Sequence, residues 1–212
     1  MSTYPIFNNK DNKTLVFYAC AKNANTSAKL FFAKHLGIEN NFYFIEDDIP
    51  RYKTRESLNL AKENVGKKNL INIWPNYQKF SGVKADIKCC IIRHPYDRFV
   101  STYRNRILFH KDKNFRNYTI DMVLDQLENN KFENKHFLPQ YFFLGNTLLY
   151  YTFYADMKNI KFFENSVNSF FGKKIEFPKL QTGGKNYMVN LTNKQKKRIQ
   201  NIYQKDFEFF YI

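Results

Sequence analysis

The sequence predicts an α/β fold with a central, mostly parallel sheet flanked by helices. Three observations carry that expectation. The runs TLVFYAC (14–20) and IKCCII (87–92) are short and almost unbroken in apolar character, as strands buried on both faces are. Each is followed at once by a turn and a helix-like segment, the alternation that builds a parallel sheet. No internal repeat or linker divides the 212 residues, so residues 1–212 read as one domain.

After Cys20, AKNANT makes a turn and SAKLFFAKHLG a helix closed by Gly37, with Thr26 or Ser27 placed to cap its start. NFYFI at 41–45 reads as a short strand. A more polar stretch follows, with a helix expected over 56–64 and a strand at LINIW, 70–74. Pro95 fits the first turn of a helix running to about Phe109. Thr119 caps the helix TIDMVLDQLEN, whereas the aromatic stretch from Phe137 to Tyr154 has no clear period. KNIKFFENSVNSFFG is an amphipathic helix ending at Gly172. LTNKQKKRIQNIYQKDFEFF is the last helix, with Thr192 and Gln195 at capping-box spacing.

Composition bounds the function without choosing it. With 43% apolar residues, 23 Phe and 15 Tyr, the chain has ample material for a core, which excludes disorder as an overall description. A formal net charge of +15 favours anionic partners such as nucleotide phosphates, acidic glycans, acidic membranes or nucleic acid. The positive residues are spread along the chain and form no recognisable nucleic-acid module, so nucleic acid is not the expected partner. Cys20, Cys89 and Cys90 lie in or beside apolar runs, and adjacent Cys89 and Cys90 should face opposite sides of a strand. Neither a disulfide nor a metal site is expected from them. The sequence contains neither a secretory leader pattern nor a transmembrane run, so a cytoplasmic protein is the expectation, with peripheral contact at a membrane surface left open.

Two segments have the chemistry of anion sites. In AKNANTS, Ala21 to Ser27, a helix start offers free amides, Lys22 a positive charge, and Thr26 and Ser27 hydroxyl donors. The glycines and terminal Lys-Thr/Ser of the nucleotide triphosphate loop are absent, and an ordinary capped turn would read much the same. In IIRHPYDRFVSTYRN, Arg93 leaves a buried strand just before Pro95 starts a helix, and Ser101 lies about two turns in. Arg93 and Ser101 converge on one phosphate only if the strand end folds back over that helix. Arg98 shares a helical face with Ser101 by spacing, while Phe99 and Tyr103 belong to the packed side. A local ion pair with Asp97 is the plain alternative for these arginines.

Together, in this order, the two segments resemble the PAPS-dependent sulfotransferase family, carbohydrate branch (PAPS is 3'-phosphoadenosine-5'-phosphosulfate). That family has a P-K-x-x-x-T-S/N loop after its first strand and a later R-x-P-x-x-R-x-x-S-x-Y segment. KHFLPQYFFLG (135–145) is similar to its His-x-x-Pro-Gln region, and Tyr203, Asp206 and Phe207 stand at familiar places in its closing helix. Ala21 replaces a common Pro, and His94 a commonly acidic residue. The resemblance implies a P-loop-like sulfotransferase fold. It places Lys22, Asn23, Ala24, Asn25, Thr26 and Ser27 around the 5'-phosphosulfate and Arg93 and Ser101 at the 3'-phosphate. The implied reaction moves a sulfuryl group from PAPS to a hydroxyl of a carbohydrate or glycoconjugate, anionic and lipid-linked acceptors included, and releases PAP without a metal. Lys22 would stabilise the leaving oxygen. His136 is the first candidate for general base, with Glu46, Asp47 and Asp48 as alternatives, and His35, His94 and His110 weaker. An ATP-dependent phosphoryl transferase, a noncatalytic glycan- or nucleic-acid-binding protein and a degenerate sulfotransferase remain the competing readings. The acceptor and the oligomeric state are not written in the sequence.

Overall fold

Alternating inward-facing residues on both sides of two parallel strands organise the molecule. In a computed structural model, residues 6–37, 42–45, 49–52, 84–112, 115, 117–129, 134–180 and 186–211 are described. The chain forms β1 (Ile6–Asn8), β2 (Thr14–Tyr18) and α1 (Asn25–Leu36), then β3 (Phe42–Ile45) and β4 (Ile49–Tyr52). β5 (Ile87–Ile92) leads into α2 (Pro95–Tyr103) and a π-wound continuation, Arg104–Phe109. There follow α3 (Ile120–Glu128), the one-turn α4 (Tyr141–Leu144), β6 (Phe153–Asp156), α5 (Ile160–Phe171), α6 (Asn193–Ile202) and α7 (Gln204–Phe210).

The main sheet has the order β1-β2-β5-β6, with β1 antiparallel to β2 and the other two pairings parallel. It is therefore mixed but mostly parallel, as expected; β3 and β4 form a separate antiparallel pair. Leu15 and Phe17 of β2, with Cys89 and Ile91 of β5, face the layer of α1 and α5, where Phe31, Phe32, Phe163 and Val167 are buried. Val16, Tyr18, Cys90 and Ile92 face the other side, against Leu144, Tyr151 and Phe210. The pleat thus sends Cys89 and Cys90 to opposite faces, and all three cysteines are free and buried. A third cluster, with Phe99, Tyr103, Leu124, Phe137, Ile199 and Tyr203, joins α2, α3 and α6.

Most predicted ends are found. Gly37 closes α1 with a left-handed backbone at φ 69°, and Gly172 closes α5 at φ 63°. Thr119 caps α3 through the Met122 amide, and Thr192 and Gln195 make the reciprocal capping box of α6. Two readings change. α1 starts at Asn25, so neither Thr26 nor Ser27 is its cap; the N-cap is Ala24, in a left-handed conformation without a side-chain cap. The last helix is interrupted at Tyr203, whose backbone, at φ −105° and ψ 25°, leaves the helical region between α6 and α7. The strand β1 and the elements within the aromatic stretch were not foreseen. Expectations at 56–64 and 70–74, and the carboxylates Glu46, Asp47 and Asp48, lie outside the described residues. No helix among the described residues is long and apolar enough to cross a membrane.

Candidate active site

Parallel pairing brings the two predicted anion segments together. Tyr18 is in register with Cys90, so the chain leaves β2 toward Lys22 beside the point where it leaves β5 toward Arg93. Both loops sit at the carboxyl ends of parallel strands, where open α/β sheets bind ligands.

The first loop is an unusual turn. Lys22 and Ala24 both have positive φ, 69° and 55°, conformations that cost a non-glycine residue of order 1–3 kcal/mol and persist only when the surroundings hold them. Here the holding contacts are specific. Asn23 is buried; its amide nitrogen Nδ2 donates to Ile91 O at 2.8 Å and to Gln140 Oε1 at 2.6 Å, and its backbone N–H donates to Cys20 O. The Arg93 guanidinium donates through Nη1 to Lys22 O at 3.0 Å, and Arg98 through Nε to Ala21 O at 3.0 Å. The first intrahelical bond of α1 runs from Ala28 N to Ala24 O, so the Asn25, Thr26 and Ser27 amides have no carbonyl partner in their own helix. Among the described residues no side chain caps them, and uncapped amides at a helix start suit an anion.

Positive charge concentrates around that cradle. Burial, then the charges of Arg93, Arg106 and Arg98, bring the Lys22 ammonium down to about 7. Among the described residues no carboxylate forms an ion pair with Lys22, Arg93 or Arg98. Arg93 senses Asp97 and Arg104 of the adjoining helix, and Ser101 falls on the same stripe by its i, i+4, i+7 spacing. The Arg93 side chain itself is bonded to the β2–α1 loop, at Lys22 O, and makes no hydrogen bond to Ser101. Arg98 does not share Ser101's half-exposed position: it is buried, tied to Ala21 O and, through Nη2, to His136 O at 3.2 Å.

His136 belongs to the same neighbourhood. Burial, then Arg106 and Lys22, push its imidazole down to about 4, so the ring is neutral near pH 7. Nδ1 lies 2.8 Å from Asn134 Oδ1. The other three described histidines weighed with it make aromatic contacts instead: His35 is buried against Phe31 and Phe171 in the α1–α5 layer, His94 packs against Tyr96, Phe207 and Tyr211, and His110 meets Phe109 edge-on.

Several residues that the sequence reading noticed only by resemblance turn out to support the two loops. Gln140 is fully buried and links both loops: Oε1 accepts from Asn23 Nδ2 and from Arg93 N at 3.0 Å, while Nε2 donates to Arg93 O at 2.8 Å. Asp206 in turn accepts the Gln140 amide at 2.7 Å and the Tyr141 amide at 2.9 Å, and the Tyr203 hydroxyl donates to Phe137 O at 2.7 Å. The closing helices thus fasten the HFLPQ segment under the anion loops. Asn23 and Ser27 also hold structure: the Ser27 hydroxyl oxygen accepts the Leu180 amide at 3.1 Å. The one signal for Gln140 was its place in HFLPQ. Among the described residues, no group of three or more His, Cys, Asp or Glu side chains could hold a metal ion.

Comparison with known proteins gives one strong finding. A family profile described as "Sulfotransferase family" matches residues 5–211, nearly the whole chain. No curated protein and no solved structure matches it.

Proposed function

The chain belongs to the sulfotransferase family, and we propose that it transfers a sulfuryl group from PAPS to a hydroxyl of a carbohydrate or glycoconjugate, releasing PAP. The observation that carries the reading is the cluster of Lys22, Arg93 and Arg98, without ion-pair partners among the described residues, around three uncapped helix amides. Such a cradle fits a donor with phosphates at both ends. The amides of Asn25, Thr26 and Ser27 with Lys22 take the 5'-phosphosulfate, and Arg93 with Ser101 takes the 3'-phosphate, with Asn23 and Ala24 setting the loop's shape. The match along residues 5–211 supports reading the span as a single domain.

The chemistry follows from the groups present. The acceptor hydroxyl oxygen forms a bond to sulfur as the bond from sulfur to the 5'-phosphate oxygen breaks, and the electron pair stays on that phosphate oxygen. Lys22 and the helix amides stabilise the charge that develops there. His136, neutral near pH 7, takes the hydroxyl proton. A metal has no assigned part in this scheme. The carbohydrate acceptor rests on the similarity of the HFLPQ region to carbohydrate sulfotransferases, and a lipid-linked acceptor would bring the protein to a membrane surface.

Calorimetric binding of PAP beside ADP and ATP, to the intact protein and to Arg93→Ala, tests the donor assignment. Selective PAP binding is expected, with a loss of about 100-fold or more in the variant, since Arg93 both meets the 3'-phosphate and holds Lys22 O. Equal affinity for ATP would favour phosphoryl transfer, and absent binding by a folded protein a noncatalytic role.

A further inference from the structure

Resting on that reading, we propose that Asn134, held by Asp112 and Arg106, is a positioning residue that fixes the His136 ring as its Nδ1–H tautomer and presents the Nε2 lone pair to the acceptor hydroxyl. The argument is one of donors and acceptors. Asp112 is ion-paired with Arg106, whose Nε and Nη2 donate to Oδ2 and Oδ1, each at 2.7 Å. An ionised carboxylate only accepts, so the Asn134 atom 3.2 Å from Asp112 Oδ2 must be the amide nitrogen Nδ2. At the other end of the same amide, the His136 backbone N–H is a donor only, and the atom it meets at 3.0 Å must be Oδ1. Two independent contacts therefore orient Asn134 in the same sense. Its Oδ1 then lies 2.8 Å from His136 Nδ1, and a carbonyl oxygen can only accept there. Nδ1 carries the hydrogen, and Nε2 carries the lone pair.

The winding of the chain makes this possible. Beyond α2 the helix opens into a π segment, where His110 N bonds Asn105 O, and Asp112 N then bonds Arg106 O at 3.0 Å. That turn returns Asp112 to the side chain of Arg106. π segments recur at functional sites for this kind of re-aiming.

The same arrangement serves both protonation states. The charges acting on the ring are Arg106 from the π segment, Lys22 from the β2–α1 loop, Arg98 from α2, and Asp112 as the opposing anion. The three cations and burial keep the resting ring neutral, at about 4. When Nε2 forms its bond to the acceptor proton, the positive ring still donates Nδ1–H to Asn134 Oδ1. The Asn134 dipole, aligned by Asp112, stabilises that charge for the duration of the transfer.

The test reads the tautomer directly, by two-bond nitrogen–proton correlation on the histidine rings of the full chain, with His136 assigned through the peak lost in His136→Gln. The free protein should show Nδ1–H and an unprotonated Nε2. In Asn134→Ala the ring should move toward Nε2–H, with kcat lowered by about 100-fold and KM for PAPS unchanged. Asn134→Asp should restore Nδ1–H and move the acid limb of the kcat profile to higher pH, because a carboxylate stabilises the charged ring. An Nε2–H ring in the unaltered protein overturns the assignment, as does an Nδ1–H ring unchanged in Asn134→Ala. If the alanine variant does not fold, the unaltered protein and the aspartate variant decide. The tautomer is read without donor or acceptor, so it stands or falls apart from PAP calorimetry, whose failure would instead remove the sulfotransferase reading of the Lys22 loop.

Discussion

Two places in this molecule gather charge around a basic side chain, and they do opposite things with it. On the surface, Arg198 of α6 reaches across to α3 and meets Asp121 at 3.2 Å, Asp125 at 2.5 Å and Glu128 at 2.6 Å. Hydrogen bonds to Glu128 and Asp125 push the guanidinium pKa up and, reciprocally, Arg198 pulls Glu128 down. At the carboxyl ends of the parallel strands, burial and then the charges of Arg93, Arg106 and Arg98 drive the Lys22 ammonium down to about 7. Matched charge bridges two helices already packed through apolar side chains; unmatched charge, kept in place by buried hydrogen bonds to neutral carbonyls, is what the proposed anion would compensate. A lowered cation pKa follows from burial as well as from like charges, so it points to binding only beside the geometry of the Lys22 loop.

The strongest way to break the contrast is to supply the missing carboxylate from the protein. Asn25→Asp puts an anion at the first position of α1, beside Lys22 and the open amides. PAP affinity should fall by about 1000-fold, the scale of one like charge at ~4 Å in a partly buried site. Thermal stability of the unliganded protein should rise at the same time, because the helix dipole and Lys22 are both compensated. Loss of stability together with loss of binding would show that Asn25 serves the fold rather than the cradle.

A smaller effect sharpens the same point through pH. Lys22 stands at about 7 in the free protein against 10.5 for an ordinary lysine. A bound anion stabilises the ammonium and raises that value, so PAP binding should take up a proton. Below pH 7 the group is already charged and contributes no pH dependence. Above it, affinity should fall by about tenfold per unit until the bound-state pKa is reached. Unliganded stability should run the other way: between about 7 and 10.5 the unfolded chain holds the extra proton, so folding gains as pH rises. Calorimetry at pH 8 in buffers of different ionisation enthalpy counts the proton directly, above the range where phosphate itself titrates. No uptake would place Lys22 outside the anion's reach.

What could be read in advance divides along a physical line. Strand runs, caps and the two anion segments are local patterns, set by periodicity and by residues close in sequence, and TLVFYAC, IKCCII, Gly37, Thr119 and the Thr192–Gln195 box were all legible. The supporting contacts are not local. Gln140 meets Asn23 117 positions away, and Asp206 meets Gln140 66 positions away. No single-sequence pattern records such pairs, so Gln140 was visible only through the HFLPQ resemblance, and its partners not at all. Arg98 was misplaced for a related reason. Spacing on α2 gives its angular neighbour, Ser101, but only the tertiary arrangement shows that its side chain extends to Ala21 and His136. The left-handed Ala24 was hidden too, since alanine gives no sign of that conformation and the hydroxyls of Thr26 and Ser27 suggested a cap two or three residues later.

The mildest prediction completes the contrast from the compensated side. Arg198→Ala removes all three ion pairs between α3 and α6 at once, yet the carboxylates it leaves are 57%, 60% and 41% exposed and stay hydrated. The contact between the helices is carried mainly by apolar packing, with Val123, Leu124 and Leu127 of α3 and Ile199 of α6 in one buried cluster. Unfolding free energy should therefore drop by only about 1 kcal/mol, more at low salt than at high. PAP affinity should be unchanged, because neither α3 nor Arg198 contributes to the Lys22 neighbourhood. Denaturant titration at two ionic strengths beside PAP calorimetry measures both. A large loss of PAP binding in this variant would mean that the surface cluster and the anion cradle are coupled, and that charge compensation alone does not distinguish them.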